Sequence, residues 1–444
     1  MKILIVFAAL LMIVGSSAAQ AQESTNEVDE LRQLVAAMQQ EYEQRISALE
    51  ERLTRAERST SSAQRDADEA VELAEQVAID SSSGASAPNT FNPSIGAILT
   101  GGYADVGTPW SDIPGFQPAD EIGSGGSGFG IGEAEINMKA NVDSRYFGNL
   151  TLGFGDADGE VELEIEEAWL QTTNLASGIS VRGGRFFSAM AYLNNFHVHT
   201  DDFVDRPLPY QAFFGGRYSV DGIQARWIAP TPILLEFGVE ANWGESFPAT
   251  SNEQSSPGAW TLFAKAGGDI GDSHSWQVGL SQLNADVIDR SGADPTSATF
   301  TGNSDLTAVD FVWKWAPQGN SGVRSFKVQG EYFRREEDGV FDSLPYDGDQ
   351  TGWYLQGVWQ FASVWRLGLR HDVVDSDNGA SMIGTQLEDP GRSSRRSSLM
   401  LDWSPSEFSR LRLQYTDDQV LPASDDQWYL QYIMSIGAHG AHLF

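Results

Sequence analysis

The feature that most restricts what this chain can fold into is a period-two alternation of apolar and polar residues, beginning near Ser94 and recurring to the end. In 131–142, Ala134, Ile136, Met138, Ala140 and Val142 alternate with Glu133, Glu135, Asn137 and Lys139. In 233–243, Leu235, Phe237, Val239 and Ala241 alternate with Glu236, Gly238, Glu240 and Asn242. Successive side chains of an extended strand point to opposite faces, so each such strand has one face suited to lipid and one suited to water. About sixteen of these segments are expected, starting near residues 94, 129, 146, 160, 178, 217, 232, 258, 273, 304, 322, 351, 364, 395, 408 and 426.

The connections alternate in length. Short ones at 229–232, 361–364 and 404–408 alternate with long, Asp- and Gly-rich ones at 105–127, 187–216, 243–257, 285–303, 336–349 and 375–392. Short turns at one end and long loops at the other are the pattern of an all-β transmembrane antiparallel β-barrel, and an even strand number brings both barrel ends to the short-turn side. Trp243, Trp260, Trp313, Trp315, Trp353, Trp359, Trp365 and Trp403 fall near predicted strand ends, as the aromatic girdles of such barrels do. The final run alternates through Trp428, Leu430, Tyr432, Met434, Ile436 and Ala438 to Phe444, whose position suits a C-terminal assembly signal read by the outer-membrane barrel assembly machinery. A soluble sandwich would need an apolar interior, which inner rows rich in Glu, Gln and Arg are not expected to supply.

Before the barrel the reading changes. Residues 1–21 carry one lysine, an apolar run from Ile3 to Val14 and an Ala19-Gln20-Ala21 cleavage pattern, which predicts a secretory signal peptide. Across 22–79 an α-helical coiled coil is expected. Val28, Leu31, Val35, Met38, Tyr42, Ile46, Leu49, Leu53 and Ala56 recur at spacings of three and four, a seam suited to a parallel homotrimer in the periplasm. Residues 80–93 read as a flexible linker.

Composition excludes some functions. The formal charge of −34 repels phosphate backbones, so no nucleic acid partner is expected, and a chain without cysteine has neither disulfides nor thiolate metal sites.

The segments EIEEAWLQT (164–172), GRFFSAMAYLNNFHVHTDDFVDRPLPYQAFFGG (184–216), SFKVQGEYFRR (325–335), DWSPSEFSRLRLQY (402–415) and QWYLQYIMSIGAHGAHLF (427–444) resemble a family of Gram-negative outer-membrane porin-like barrels. That family is often labelled a zinc-regulated TonB-dependent outer-membrane receptor and is distantly similar to the phosphate-selective porins. The resemblance covers the chain from about residue 90 onward and implies an outer-membrane channel; the coiled coil ahead of a barrel is similar to the trimeric sucrose porins. A plug domain and the 22 strands of energised transporters are not what the sequence offers, and the five lysines are few for a phosphate-conducting ladder.

Chemistry concentrates in HVHTDDFVD (197–205), within the connection after the fifth predicted strand. If this third external loop folds inward, His197, His199, Asp201, Asp202 and Asp205 form the pore constriction, and its carboxylates bias passage toward cations. Strand phase places Glu133, Glu135, Glu236 and Glu240 on an acidic lumen wall and Arg366, Arg370, Arg410 and Arg412 on a basic one. A transverse field between them would orient dipolar solutes. His197, His199, Asp201 and Asp205 also form a candidate ligand set for a divalent cation such as Zn²⁺. The acidic outer loops suit Ca²⁺ or Mg²⁺ bridging to lipopolysaccharide phosphates.

The leading expectation is a non-enzymatic porin for small hydrophilic solutes. The alternatives are a TonB-linked receptor for a metal or metal chelate and an outer-membrane hydrolase, the latter using Asp201 and Asp202 with His371 and Asp372, or the GDS of 271–273. The glycines of GSGGSGFGIG (123–132) precede a strand rather than a helix and do not suit phosphate binding.

Overall fold

The alternating segments do form strands. The computed structural model describes residues 93–437 apart from 118, 120, 121, 158, 159, 251–257 and 292–297. The predicted signal peptide, coiled coil and nearly all of the linker, together with Phe444, therefore lie outside the described residues, as does the side chain of Glu133.

The strands are β1 (Ser94–Asp105), β2 (Gly128–Asn141), β3 (Tyr146–Ala157), β4 (Glu160–Thr172), β5 (Ile179–Phe187), β6 (Ser219–Ile228), β7 (Leu234–Asn242) and β8 (Ala259–Ile270). They continue as β9 (His274–Arg290), β10 (Phe300–Trp315), β11 (Ser325–Phe341), β12 (Leu344–Ala362), β13 (Trp365–Asp377), β14 (Ser394–Ser406), β15 (Ser409–Gln419) and β16 (Asp425–Gly437). Each pairs antiparallel with its chain neighbours, and β1 pairs with β16 from Gly96↔Gly437 to Asp105↔Trp428, closing the barrel. Closure gives every strand a partner on both sides, although β4 and β5 pair only from Ala168↔Arg185 to Gln171↔Arg182.

The two faces follow the alternation. Outward rows expose Phe237, Val239, Leu355, Leu369, Leu399, Leu413, Leu430 and Ile436, with Trp243, Trp260, Trp353, Trp359, Trp365 and Trp403 among them. Inward rows bury Glu135, Glu236, Glu240, Gln329, Glu331, Arg370, Asp402 and Arg412.

Two expectations about the outer, long-connection end are corrected. The segment 336–349 is a continuous hairpin rather than a long loop: β11 runs to Phe341, β12 starts at Leu344, and Asp342 and Ser343 turn the chain at φ 45° and 69°. Positive φ at both central residues is the type I′ pattern that matches strand twist. Inner rows are also not polar throughout. Phe300, Phe333, Phe341 and Tyr346 point inward and pack with Trp110, Ile113 and Phe116 of 106–127, and with Met382 and Leu387 of 378–393. Beyond the apolar band the outward face becomes more polar, with Arg334 and Glu336 exposed, and apolar side chains pack inside beside the buried Arg290–Glu337 pair.

Between β5 and β6 the chain turns into the barrel. Helix α1 (Leu208–Phe214) is buried along its whole length, starts with a proline in its first turn, and ends where Gly215 takes φ 65° and Gly216 donates to the Tyr210 carbonyl at 3.0 Å. Phe213 and Tyr210 pack on Phe333 with ring centroids 5.9 and 5.4 Å apart. The wall accommodates the helix at Gly352, where an added Cβ would stand 2.9 Å from the Phe213 ring.

Candidate functional site

The connection 188–218 is tied to the wall at successive points. Glu240 accepts from the Ala189 amide at 2.7 Å and the Ser188 hydroxyl at 2.5 Å, and Ser281 Oγ accepts from the Ala191 amide at 3.1 Å. Glu331 accepts from the amides of Tyr192 and Leu193 at 3.2 and 3.0 Å, and from the hydroxyls of Tyr210 and Tyr354 at 2.9 and 2.5 Å. These partners meet the polar backbone that an irregular segment brings into a barrel. Glu331 had no role in the sequence reading, because nothing local distinguishes it from any other inward carboxylate.

Beyond this anchor, HVHTDDFVD crosses the lumen. One turn of 3-10 helix, Val198–Thr200, brings the His197 and His199 rings together, with centroids 5.6 Å apart. Both rings face the acidic side. His197 Nδ1 lies 3.1 Å from Glu135 and 3.2 Å from Glu166, its Nε2 lies 3.0 Å from Glu167, and His199 Nδ1 lies 3.0 Å from Glu135. Burial disfavours a charged His197 ring, but its hydrogen bonds to the carboxylates of Glu135, Glu166 and Glu167 outweigh it and raise its pKa well above the ordinary value.

Glu166 and Glu167 are consecutive yet both buried on the inside. The β3–β4 register explains this: Thr151 pairs with Glu167 and Leu152 with Ile165, leaving Glu166 as the extra residue of a bulge. Strict alternation would have sent one of them to lipid, so sequence reasoning missed the pair.

The aspartates face the opposite side. Asp201 pairs with Arg206 at 2.8 Å, while its carbonyl accepts from Arg412 at 2.7 Å and, more weakly, from Arg410 at 3.4 Å. Asp202 pairs with Arg366 at 3.0 Å and with Lys327, and accepts from Gln356 at 3.0 Å. Asp205 meets Arg370 at 2.8 Å, Arg396 at 2.5 Å and Gln414 at 2.7 Å. For Asp202 and Asp205, burial opposes ionisation, but the surrounding cations dominate and hold both carboxyls below the usual carboxylate range.

The predicted set therefore divides. The proposed ligand set of His197, His199, Asp201 and Asp205 is not assembled, because both aspartates are turned to guanidinium groups; Glu135 takes their place beside the histidines. The transverse field is also not an empty one. On the acidic side Glu135 is engaged by both histidines, Glu236 by Arg226, and Glu240 by the loop backbone. On the basic side Asp402 lies between Arg366 and Arg412. The hydrolase arrangement is not formed either: His371 faces outward onto Ser397 at 2.9 Å, and Asp372 pairs with Arg370 inside.

Below the crossing segment, toward the short turns, lies a cavity of about 830 Å³ lined in part by Asp202, Lys314, Lys327, Gln329, Arg366 and Arg410.

No protein-family model matches the chain. An uncharacterized protein of Aquifex aeolicus (strain VF5) is 28% identical over 390 residues, covering 80% of each chain. Among solved structures, the chain is similar to a loop L8 deletion mutant of OmpT, an outer membrane protein of Vibrio cholerae (TM-score 0.51, 10% identity, 78% of this chain and 99% of that one). It is also similar to the outer membrane channel DcaP of Acinetobacter baumannii (TM-score 0.51, 13% identity, 78% and 97%). A third is an anion-selective porin from Comamonas acidovorans (TM-score 0.50, 11% identity, 78% and 99%). At these identities the likeness is one of fold.

Proposed function

We propose that this chain is an outer-membrane channel through which small hydrophilic solutes diffuse past the inserted connection 188–218. The observation that carries the reading is the closed sixteen-strand wall, apolar outside and charged inside, crossed by a segment bound to both sides of the lumen. Two proteins of similar fold are described as a channel and a porin. Solutes passing His197, Asp202 and the cavity lined by Lys314, Lys327 and Arg366 meet charges of both signs at short range, which suits dipolar and zwitterionic molecules. Any cation bias comes from the acidic chain outside this segment, because Asp201, Asp202 and Asp205 are already paired. The proposal includes assembly as a homotrimer through the seam at 28–56, with the long connections facing outward toward lipopolysaccharide.

Purified protein in a planar bilayer tests it. Discrete conductance steps, with a reversal potential in a salt gradient giving the ion preference, are expected. A folded, inserted barrel that passes no current would overturn the channel reading.

A further inference from the structure

One cluster in the lumen has more ligand chemistry than a channel wall requires. Single donor atoms of Glu135, His197 and His199 all lie within 4.8 Å of one another. The paired contacts are closer: each oxygen of Glu135 faces one imidazole Nδ1, at 3.1 and 3.0 Å, and Glu166 lies 3.2 Å from the Nδ1 of His197. Ligands bound about 2.0–2.2 Å from a tetrahedral zinc ion stand roughly 3.3 Å apart, so these spacings need only small side-chain shifts.

Two further observations point the same way. Both nitrogens of His197 face carboxylates, whereas a neutral imidazole carries one N–H; the Nδ1 side, which a proton holds in the metal-free ring, can take a divalent cation in that proton's place. The Nε2 side is already arranged as in metal sites. Glu167 lies 3.0 Å from that nitrogen and also accepts from Trp169 Nε1 at 2.9 Å, which fixes the carboxylate that orients the ring.

We propose that Glu135, His197 and His199, with Glu166 adjacent and Glu167 orienting His197, form a binding site for a divalent cation of zinc-like preference. The mixed imidazole and carboxylate donors suit such an ion better than Ca²⁺ or Mg²⁺, which take oxygen ligands. The ion joins the inserted connection to β2 and β4, adding a link between loop and wall that does not depend on the aspartates. The inference concerns binding, and it stands or falls separately from conduction.

The test uses full-length protein folded in detergent, stripped with chelator and titrated with Zn²⁺, with Co²⁺ absorption reporting nitrogen and oxygen ligation. Saturable uptake of about one ion per chain is expected. The double substitution His197→Ala/His199→Ala is expected to abolish it, and Glu167→Gln to weaken it by about 10- to 100-fold. His439→Ala/His442→Ala is expected to leave it within about threefold, since a tenfold change would correspond to a lost ligand or orienting partner. Heat-modifiable gel migration confirms folding of each variant, and the isosteric Glu135→Gln supplies a ligand loss that preserves packing. Absence of saturable uptake overturns the proposal. So does uptake that a folded His197→Ala/His199→Ala or Glu135→Gln variant retains in full.

Discussion

Asp205 stands 2.8 Å from Arg370, so a carboxylate that the sequence offers to permeating cations is already neutralised by the lumen wall. Arg370 and Arg396 are almost completely buried beside it. Removing one member of a buried ion pair leaves a charge without compensation, at a typical cost of about 3–5 kcal/mol. Because Asp205 keeps partial contact with solvent, Asp205→Asn is expected to cost about 3 kcal/mol, at the lower end of that range. The same variant leaves guanidinium charge facing the passage. Its reversal potential should move toward anions relative to wild type, and an unchanged value would show that Asp205 does not act on the permeating ion.

Acid should release this contact only at low pH. Asp202 and Asp205 have depressed pKa values in the folded protein. Their contribution is therefore present above the ordinary value of 3.8 and is lost as pH falls through the lower folded values. The share of the protection of 188–218 from an acid-tolerant protease that Asp202 and Asp205 supply should be full at about pH 5 and above, and decline only below the ordinary carboxylate pKa. A double Asp202→Asn/Asp205→Asn variant should lose that acid-dependent step.

Glu331 holds the start of the crossing segment through four hydrogen bonds, to two amides and two tyrosine hydroxyls. Glu331→Ala removes every acceptor at once. A buried donor left without a partner costs about 1–3 kcal/mol, so the segment should loosen while the strand ladder persists. Faster cleavage within 188–218 and noisier single-channel current are expected, with heat-modifiable migration retained. A variant as quiet and as protease-resistant as wild type would mean that the aromatic packing around α1 holds the segment without this carboxylate.

How much of this was legible in the sequence depended on whether the signal was local. The alternation of Leu235 with Glu236 or Leu369 with Arg370 is a property of neighbouring residues, and it determined the strands, the face each presents to lipid, and the position of the long connection after β5. Which charges meet was decided by tertiary structure. His197 and Asp205 are close in sequence, yet they reach opposite walls, because a 3-10 turn redirects the chain between them. Glu166 faces inward only because a bulge in β4 breaks the alternation against Thr151. Phe333 belongs to an apolar core only because the inserted connection brings Tyr210, Phe213 and Phe214 against the inner face of β11. The sequence by itself determined a barrel and a charged segment to cross it; the register and bulges of the closed barrel decided that its histidines meet glutamates and its aspartates meet arginines.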